Sequence, residues 1–200
     1  MAVEPELANL LVSTAPSCRL LVGQDEGPYY RDLDLERRDI TEDREGVALR
    51  VGLRLLSSGG DPFAGALVEV WHADREGQYS GFPVETSAPG ETFLRGSQQT
   101  DARGLCAFDT IYPGWYPGRT VHIHLIAHAG ESRSVTTQLF FPEPVTDTVF
   151  AQPGYDTRGE RDTTNATDAI FANHGEETTL ALTEHGAGYV GLLCATVDSP

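Results

Sequence analysis

The chain is predicted to be all-β, a β-sandwich of mostly antiparallel strands with long loops and at most short helices. Three observations lead there. Hydrophobic residues recur with a period of two, the apolar runs are short and separated by turn-forming clusters, and helical periodicity is scarce. Residues 4–13 suit one short helix. Val47, Leu49, Val51, Leu53 and Leu55 then alternate with Ala48, Arg50, Gly52 and Arg54, the signature of a half-buried strand. Ser57-Ser58-Gly59-Gly60-Asp61-Pro62 ends it with strong turn residues. A valine-rich second strand covers 66–72, and 93–96 supplies a third. Thr100 to Gly104 reads as a hairpin turn leading into a strand at 105–108. Residues 119–127 and 135–141 form a strand pair joined by a turn near Gly130. The stretch 142–168 is dense in Pro, Gly, Asp and Thr and is expected to be a long surface loop. A second short helix is expected over 167–173, and a β-branched run over 189–197 closes the chain. No internal repeat or linker divides it, so residues 1–200 are read as a single domain.

Composition narrows the function classes. The net charge of −16 argues against a nucleic-acid partner, because phosphate binding needs a basic face. Every basic residue is arginine, a bias that carries no chemistry. No segment approaches the ~18 apolar residues of a membrane span. The N-terminal apolar run is short and acidic, without the basic region of a secretory signal, so a cytoplasmic location is expected. Cys18, Cys106 and Cys194 include no CxxC pair, which removes zinc ribbons and thioredoxin-like sites. They allow one intramolecular disulfide whose pairing the sequence leaves open, or three buried thiols.

The chemistry concentrates between Tyr112 and His124, in Tyr-Pro-Gly-Trp-Tyr-Pro-Gly-Arg-Thr-Val-His-Ile-His. On a strand, His122 and His124 point to one side, while Val121, Ile123 and Leu125 point to the other. The histidines can therefore share one metal ion. Tyr79 and Tyr116 are the accompanying candidate ligands. A phenol, with a pKa near ~10, stays protonated at neutral pH unless a strong Lewis acid takes the proton. Ferric iron is hard and acidic enough, and two phenolates plus one hydroxide cancel its charge. Zinc more usually takes cysteine or a third histidine, and non-haem iron(II) takes two histidines and a carboxylate.

These segments resemble the intradiol ring-cleavage dioxygenases, the family of protocatechuate 3,4-dioxygenase and catechol 1,2-dioxygenase. Val68-Glu69-Val70-Trp71-His72-Ala73-Asp74 and Gly77-Gln78-Tyr79-Ser80 are similar to the family's first iron-tyrosine segment. Ile111-Tyr112-Pro113-Gly114-Trp115-Tyr116-Pro117 resembles the second, and Arg119-Thr120-Val121-His122-Ile123-His124 the histidine strand. Thr136 to Phe140 resembles the strand that follows, and Glu26-Gly27-Pro28-Tyr29-Tyr30 the segment that walls the substrate pocket. The resemblance implies a small single-domain member with Fe(III) held by Tyr79 and His122 equatorially and by Tyr116 and His124 axially. Tyr112 is a rival for the second tyrosine, but the Pro-Gly-x-Tyr pattern favours Tyr116. A catechol-type substrate would displace Tyr116 and react with O2, opening the ring to a cis,cis-muconate-type diacid. Arg119 and Gln138 would be the catalytic residues, Arg119 stabilising negative charge and Gln138 lending it polar support. Gly27, Pro28 and Tyr29 would bind substrate.

Two departures stand out. Only residues 117–121 separate the second tyrosine from the first histidine, so a more open active-site mouth is expected. Residues 1–200 show no counterpart of the N-terminal helical region through which catechol 1,2-dioxygenases dimerise, so a homo-oligomer is compatible with the chain but that mode of dimerisation is not carried over as an expectation. His72, His128, His174 and His185 are read as non-ligands, and Asp74 and Asp101 as turn residues whose carboxylates bond to backbone. The competing readings are a non-catalytic β-sandwich that binds a ligand, and a zinc or iron(II) enzyme using His122 and His124.

Overall fold

The alternating runs resolve into two stacked sheets in a computed structural model that describes residues 3–13, 18–82, 88–128 and 134–197. In chain order the elements are helix α1 (Pro5–Ser13) and strands β1 (Arg19–Leu20), β2 (Ala48–Ser57), β3 (Leu67–Trp71), β4 (Arg95–Gln99), β5 (Leu105–Ile111), β6 (His122–His128) and β7 (Ser134–Phe140). Helix α2 (Glu143–Phe150), two 3-10 turns (Asp156–Arg158 and Gly175–Thr178) and strands β8 (Ala181–His185) and β9 (Gly188–Val197) follow. The first sheet runs β1-β9-β2-β5, with β8 also paired to β9. The second runs β4-β3-β6-β7 and is antiparallel throughout. The first is mixed, because β9 lies parallel to both β1 and β2.

Period-two patterning explains the stacking. Leu49, Val51, Leu53 and Leu55 of β2 meet Val68 and Val70 of β3 and Ile123, Leu125 and Ala127 of β6 in one buried cluster. Full burial of one branched aliphatic side chain stabilises by about 1.5–3 kcal/mol. Strand β6 is thus fixed from its core side and must present His122 and His124 on the outer face. The first sheet is covered on its own outer face by α1, whose Leu7, Ala8 and Leu11 pack on Leu105, Ala107, Val190 and Leu192. Gly52 makes this close approach fit, since a Cβ there would lie 3.1–3.2 Å from Leu192, Leu11 and Leu7. No helix among the described residues is long and apolar enough to cross a membrane.

Several sequence expectations change. The third strand is Arg95–Gln99 and not 93–96; Leu94 lies in the left-handed region at φ 57°, which keeps 93–94 out of the ladder. Asp101 to Gly104 does form a turn, with the Asp101 carboxylate accepting the amides of Arg103 and Leu105 at 2.8 and 3.0 Å. It is no hairpin, because β4 belongs to the second sheet and β5 to the first. The expected loop at 142–168 contains α2, whose Pro144 sits in the first turn, where the missing N–H does no harm. Residues 167–173 form turns and no helix. Strands β1 and β8 have no counterpart in the sequence pattern; they are short and mostly exposed, and only backbone pairing with β9 defines them. The turn near Gly130 lies outside the described residues.

Of the open cysteine pairings, the structure takes Cys18–Cys194, 176 residues apart, with Cys106 buried as a free thiol. The disulfide ties the segment that enters β1 to β9, one step before Arg19 pairs with Ala195.

His72 links the sheets at the end of β3. Its Nδ1–H donates to the Ala73 carbonyl (2.8 Å) and its Nε2 meets Thr110 Oγ1 of β5 (2.7 Å). Burial pulls its pKa from 6.5 down to about 4. The folded state then binds fewer protons than the unfolded state between these values, so stability falls as pH drops from about 6.5 to about 4. The loss attributable to His72 is roughly 3 kcal/mol. Urea unfolding at pH 7 and pH 4.5 is expected to show a shallower fall in His72→Gln than in the wild type; equal falls would remove His72 as the cause.

Candidate active site on the outer face of the second sheet

Two turns bring the tyrosines to the histidine strand. After β3 the chain reverses around Asp74, whose Oδ1 accepts the amides of Glu76 (2.9 Å) and Gln78 (3.0 Å). Gly77 has φ 80°, and a Cβ there would lie 2.2 Å from the Trp115 carbonyl oxygen. Gly114 answers from the other side: its amide donates to the Asp74 carbonyl (2.9 Å), and a Cβ would sit 2.3 Å from the Arg75 carbonyl oxygen. Two glycines thus let the tyrosine segments pack backbone against backbone. The rings of Tyr79 and Tyr116 come to rest 5.6 Å apart, edge to face.

Tyr112, the rival second tyrosine, turns the other way. Its hydroxyl meets Thr146 Oγ1 of α2 (2.8 Å), its ring packs 4.5 Å from Phe141, and it is fully buried in the main core. The Tyr155 hydroxyl donates to the Tyr112 carbonyl at 2.7 Å, fixing the segment that leads to Tyr116.

Four donor atoms converge. Tyr116 Oη lies 3.0 Å from His122 Nε2, and Tyr79 Oη lies 3.0 Å from His124 Nε2 and 3.5 Å from His122 Nε2. The two Nε2 atoms are 3.1 Å apart. His122 Nδ1 donates to the Thr120 carbonyl (2.6 Å), which can only accept, so His122 Nε2 carries a bare lone pair. His124 Nδ1 has no partner among the described residues, and Trp71 stacks on the ring at 4.8 Å. Burial, helped by the Arg119 charge, pulls His122 down to about 3, and burial likewise holds His124 well below its ordinary value. Both imidazoles are therefore neutral at pH 7 and free to donate a lone pair to a metal. Burial pushes both phenols up, Tyr79 well up.

This arrangement fits one metal ion. Donors held about 2 Å from a common ion sit ~3–3.5 Å from each other, the spacing seen here. The two imidazole Nε2 atoms face each other across 3.1 Å, and with His124 Nδ1 unpartnered among the described residues the His124 ring can turn its Nε2 lone pair to an ion placed between them. Among the described residues no group of three or more His, Cys, Asp and Glu is placed to hold a metal. The donor set is two imidazoles and two phenols, which suits a hard, strongly acidic ion better than zinc or iron(II). Tyr79, His122 and His124 are buried, whereas Tyr116 is partly exposed and lies on the solvent side of the cluster.

The remaining expected residues surround this cluster. Arg119 NH1 lies 3.5 Å from His122 Nε2, and its NH2 donates to Gln138 Oε1. Gln138 Nε2 donates in turn to the Asp25 carbonyl (2.8 Å). Gly27 adopts φ 73°, with room for a Cβ only 3.2 Å from His124 Cε1. Tyr29 stacks on Tyr79 at 4.3 Å and meets Tyr116 edge-on at 6.0 Å. Pro28 is exposed at the turn between them. The other histidines lie elsewhere: His128 pairs with Glu69 (2.6 Å), and His174 with Glu177 (3.0 Å). Sequence reasoning missed three contributors. Trp71 stacks on His124, Gln24 accepts the Gln138 amide at 3.0 Å, and Asp168 binds Arg119. In the sequence Asp168 falls only within the expected second helix, and nothing local links it to a residue 49 positions earlier.

Comparison with known proteins addresses the family of the whole chain. A family model described as Dioxygenase matches residues 25–153, more than half of the chain. An intradiol ring-cleavage dioxygenase from Tetranychus urticae is 34% identical, with a TM-score of 0.84 over 90% of this chain and 95% of that one. The dioxygenase domain of a dioxygenase–carbohydrate-binding protein fusion from Streptomyces sp. SirexAA-E is 30% identical, with a TM-score of 0.68 over 90% and 99%. Protocatechuate 3,4-dioxygenase beta chain from Burkholderia cepacia is 35% identical over 132 residues, covering 60% of this chain and 54% of the relative. Catechol 1,2-dioxygenase 1 from Acinetobacter lwoffii is 31% identical over 137 residues, covering 56% and 43%. The chain spans about half the length of the curated relatives it matches. With its sandwich, its paired tyrosine turns and its histidine strand, the chain belongs to the intradiol ring-cleavage dioxygenase family.

Proposed function

We propose that the protein is an iron(III)-dependent intradiol dioxygenase that opens a catechol-type ring with O2 to a cis,cis-muconate-type diacid. The observation that carries this reading is the convergence of two phenol oxygens and two imidazole nitrogens within 3.0–3.5 Å. Ferric iron, when bound, supplies the Lewis acidity that keeps buried phenols and a chelating catechol deprotonated and makes the ring reactive to oxygen.

The chain's own residues do the rest. His122 and Tyr79 are held from behind, by the Thr120 carbonyl and the Tyr29 ring respectively, and keep their places. Tyr116 sits at the open side and can swing away as substrate enters. Its Oη, as a released phenolate, then takes up a substrate proton, since a free phenol has a pKa near ~10. Arg119 presents NH1 toward the cluster as a fixed cation for negative charge on the opening ring. Gln138 orients that guanidinium, and Gly27 to Tyr29 form the wall beside it.

Oxygen uptake across a panel of catechols, with product mass and ultraviolet spectrum, tests the reaction class. Muconate-type products are expected; extradiol products, or no uptake by iron-loaded protein, would contradict it. Tyr112→Phe provides a control. It removes one buried hydroxyl bond at a cost of about 1 kcal/mol, while iron content and turnover stay at wild-type levels. Loss of iron in that variant would move the second phenol from residue 116 to 112.

Location is a separate proposal. The Cys18–Cys194 bond favours an oxidising compartment over the cytoplasm expected from the N-terminal residues. Titration of thiols in unfolded, unreduced protein checks it. One reactive thiol is expected, and three would return the cytoplasmic reading.

A further inference from the structure

We propose that Asp168 is the positioning residue that aims Arg119 at the reacting centre; this rests on the ring-opening reading above. Asp168 lies beyond residues 25–153, the stretch matched by the family model. Its side chain is fully buried, and its two oxygens serve different structures. Oδ1 accepts the amides of Ile170 (2.7 Å) and Phe171 (2.9 Å), which shapes the turn that carries it. Oδ2 accepts Arg119 Nε (2.8 Å) and the Thr120 amide (2.8 Å).

The second pair reaches the site twice. Thr120 is the residue whose carbonyl fixes the His122 tautomer, so its amide and its carbonyl are held from opposite sides. Arg119 is clamped through Nε by Asp168 and through NH2 by Gln138, which leaves NH1 as the arm nearest His122 Nε2. A planar guanidinium held at two of its nitrogens has one orientation; held at one, it rotates. The turn is itself anchored. Asn165 accepts Thr120 Oγ1–H (2.7 Å) and donates to the Phe141 carbonyl one residue past β7 (2.9 Å). The carboxylate therefore stands on a fixed base when it meets Arg119.

A double-mutant cycle on iron-loaded protein, with catechol as substrate, tests this. Asp168→Asn replaces an acceptor of Arg119 by an amide and is expected to lower kcat about 10–100-fold, with KM changing less than about threefold. In an Arg119→Met background the same change is expected to lower kcat by only a fewfold, because the guanidinium is gone and only the Thr120 amide contact remains to be lost. Asp168→Ser, which keeps a hydroxyl acceptor for the Ile170 and Phe171 amides, gives the same pattern and serves if the Asn variant does not fold. Equal losses in both backgrounds, or unchanged kcat in Asp168→Asn, would overturn the proposal. The Tm values of the four proteins read the contact without reference to turnover. A combined fall smaller than the sum of the single falls supports the Arg119–Asp168 clamp, and additive falls overturn it. Wild-type protein that turns over no catechol while its Tm values remain coupled would sink the ring-cleavage reading and leave the clamp standing.

Discussion

Tyr79→Phe is expected to bleach most of the visible colour of the iron-loaded protein and to lower kcat by about three orders of magnitude. Colour is expected because phenolate-to-ferric charge transfer absorbs in the visible, giving red to burgundy protein. Phenylalanine removes only the oxygen. The ring stays stacked on Tyr29 at 4.3 Å and edge-on to Tyr116 at 5.6 Å, so the wall of the site survives. The loss is chemical. One hard anionic donor disappears from a buried site that contains two neutral imidazoles, and the charge on the metal is less well balanced. Tyr116→Phe is expected to shift the band as well but to lower kcat less, since Tyr116 is the partly exposed phenol and the one proposed to swing aside as substrate enters. Absorption spectra and oxygen uptake on the two variants check this ordering. Unchanged spectra in both would refute the assignment of the phenols.

Arg119→Met is the second large effect. The side chain keeps its apolar stem and loses a guanidinium bonded to Asp168 and Gln138. We expect kcat to fall about 100- to 1,000-fold, the range for removing one preorganised donor to developing charge. KM should change only a fewfold, because the charge that Arg119 meets appears after substrate binds. A raised KM with kcat unchanged would instead make Arg119 an anchor for substrate. The measurement is steady-state oxygen uptake as a function of catechol concentration.

How much of this is legible in the sequence depends on whether the signal is local. The core strands are readable because one face of each is buried, which forces alternation, as in Leu49 to Leu55. The same alternation by itself puts His122 and His124 on one face of their strand. The choice of Tyr116 over Tyr112 rests on the Pro-Gly-x-Tyr pattern, and the structure supplies the reason: Gly114 admits the Arg75 backbone, and Tyr112 is committed to the core. Helix α2 is hidden because Pro142 and Pro144 read as breakers, although proline is tolerated at a helix start. Strands β1 and β8 have little buried face and so no pattern to find. Asp168 and the Cys18–Cys194 pairing are illegible for a different reason. Each acts on a partner far away in sequence, and residue type alone does not say which.

Tyr79, Tyr116, His122 and His124 are proposed to hold a single ferric ion. The most direct test is anomalous diffraction at the iron absorption edge from crystals of iron-loaded protein. One strong peak is expected about 2 Å from Tyr79 Oη, Tyr116 Oη, His122 Nε2 and His124 Nε2 together. A peak elsewhere, or iron bound by the histidines with both phenol oxygens turned away, would contradict it.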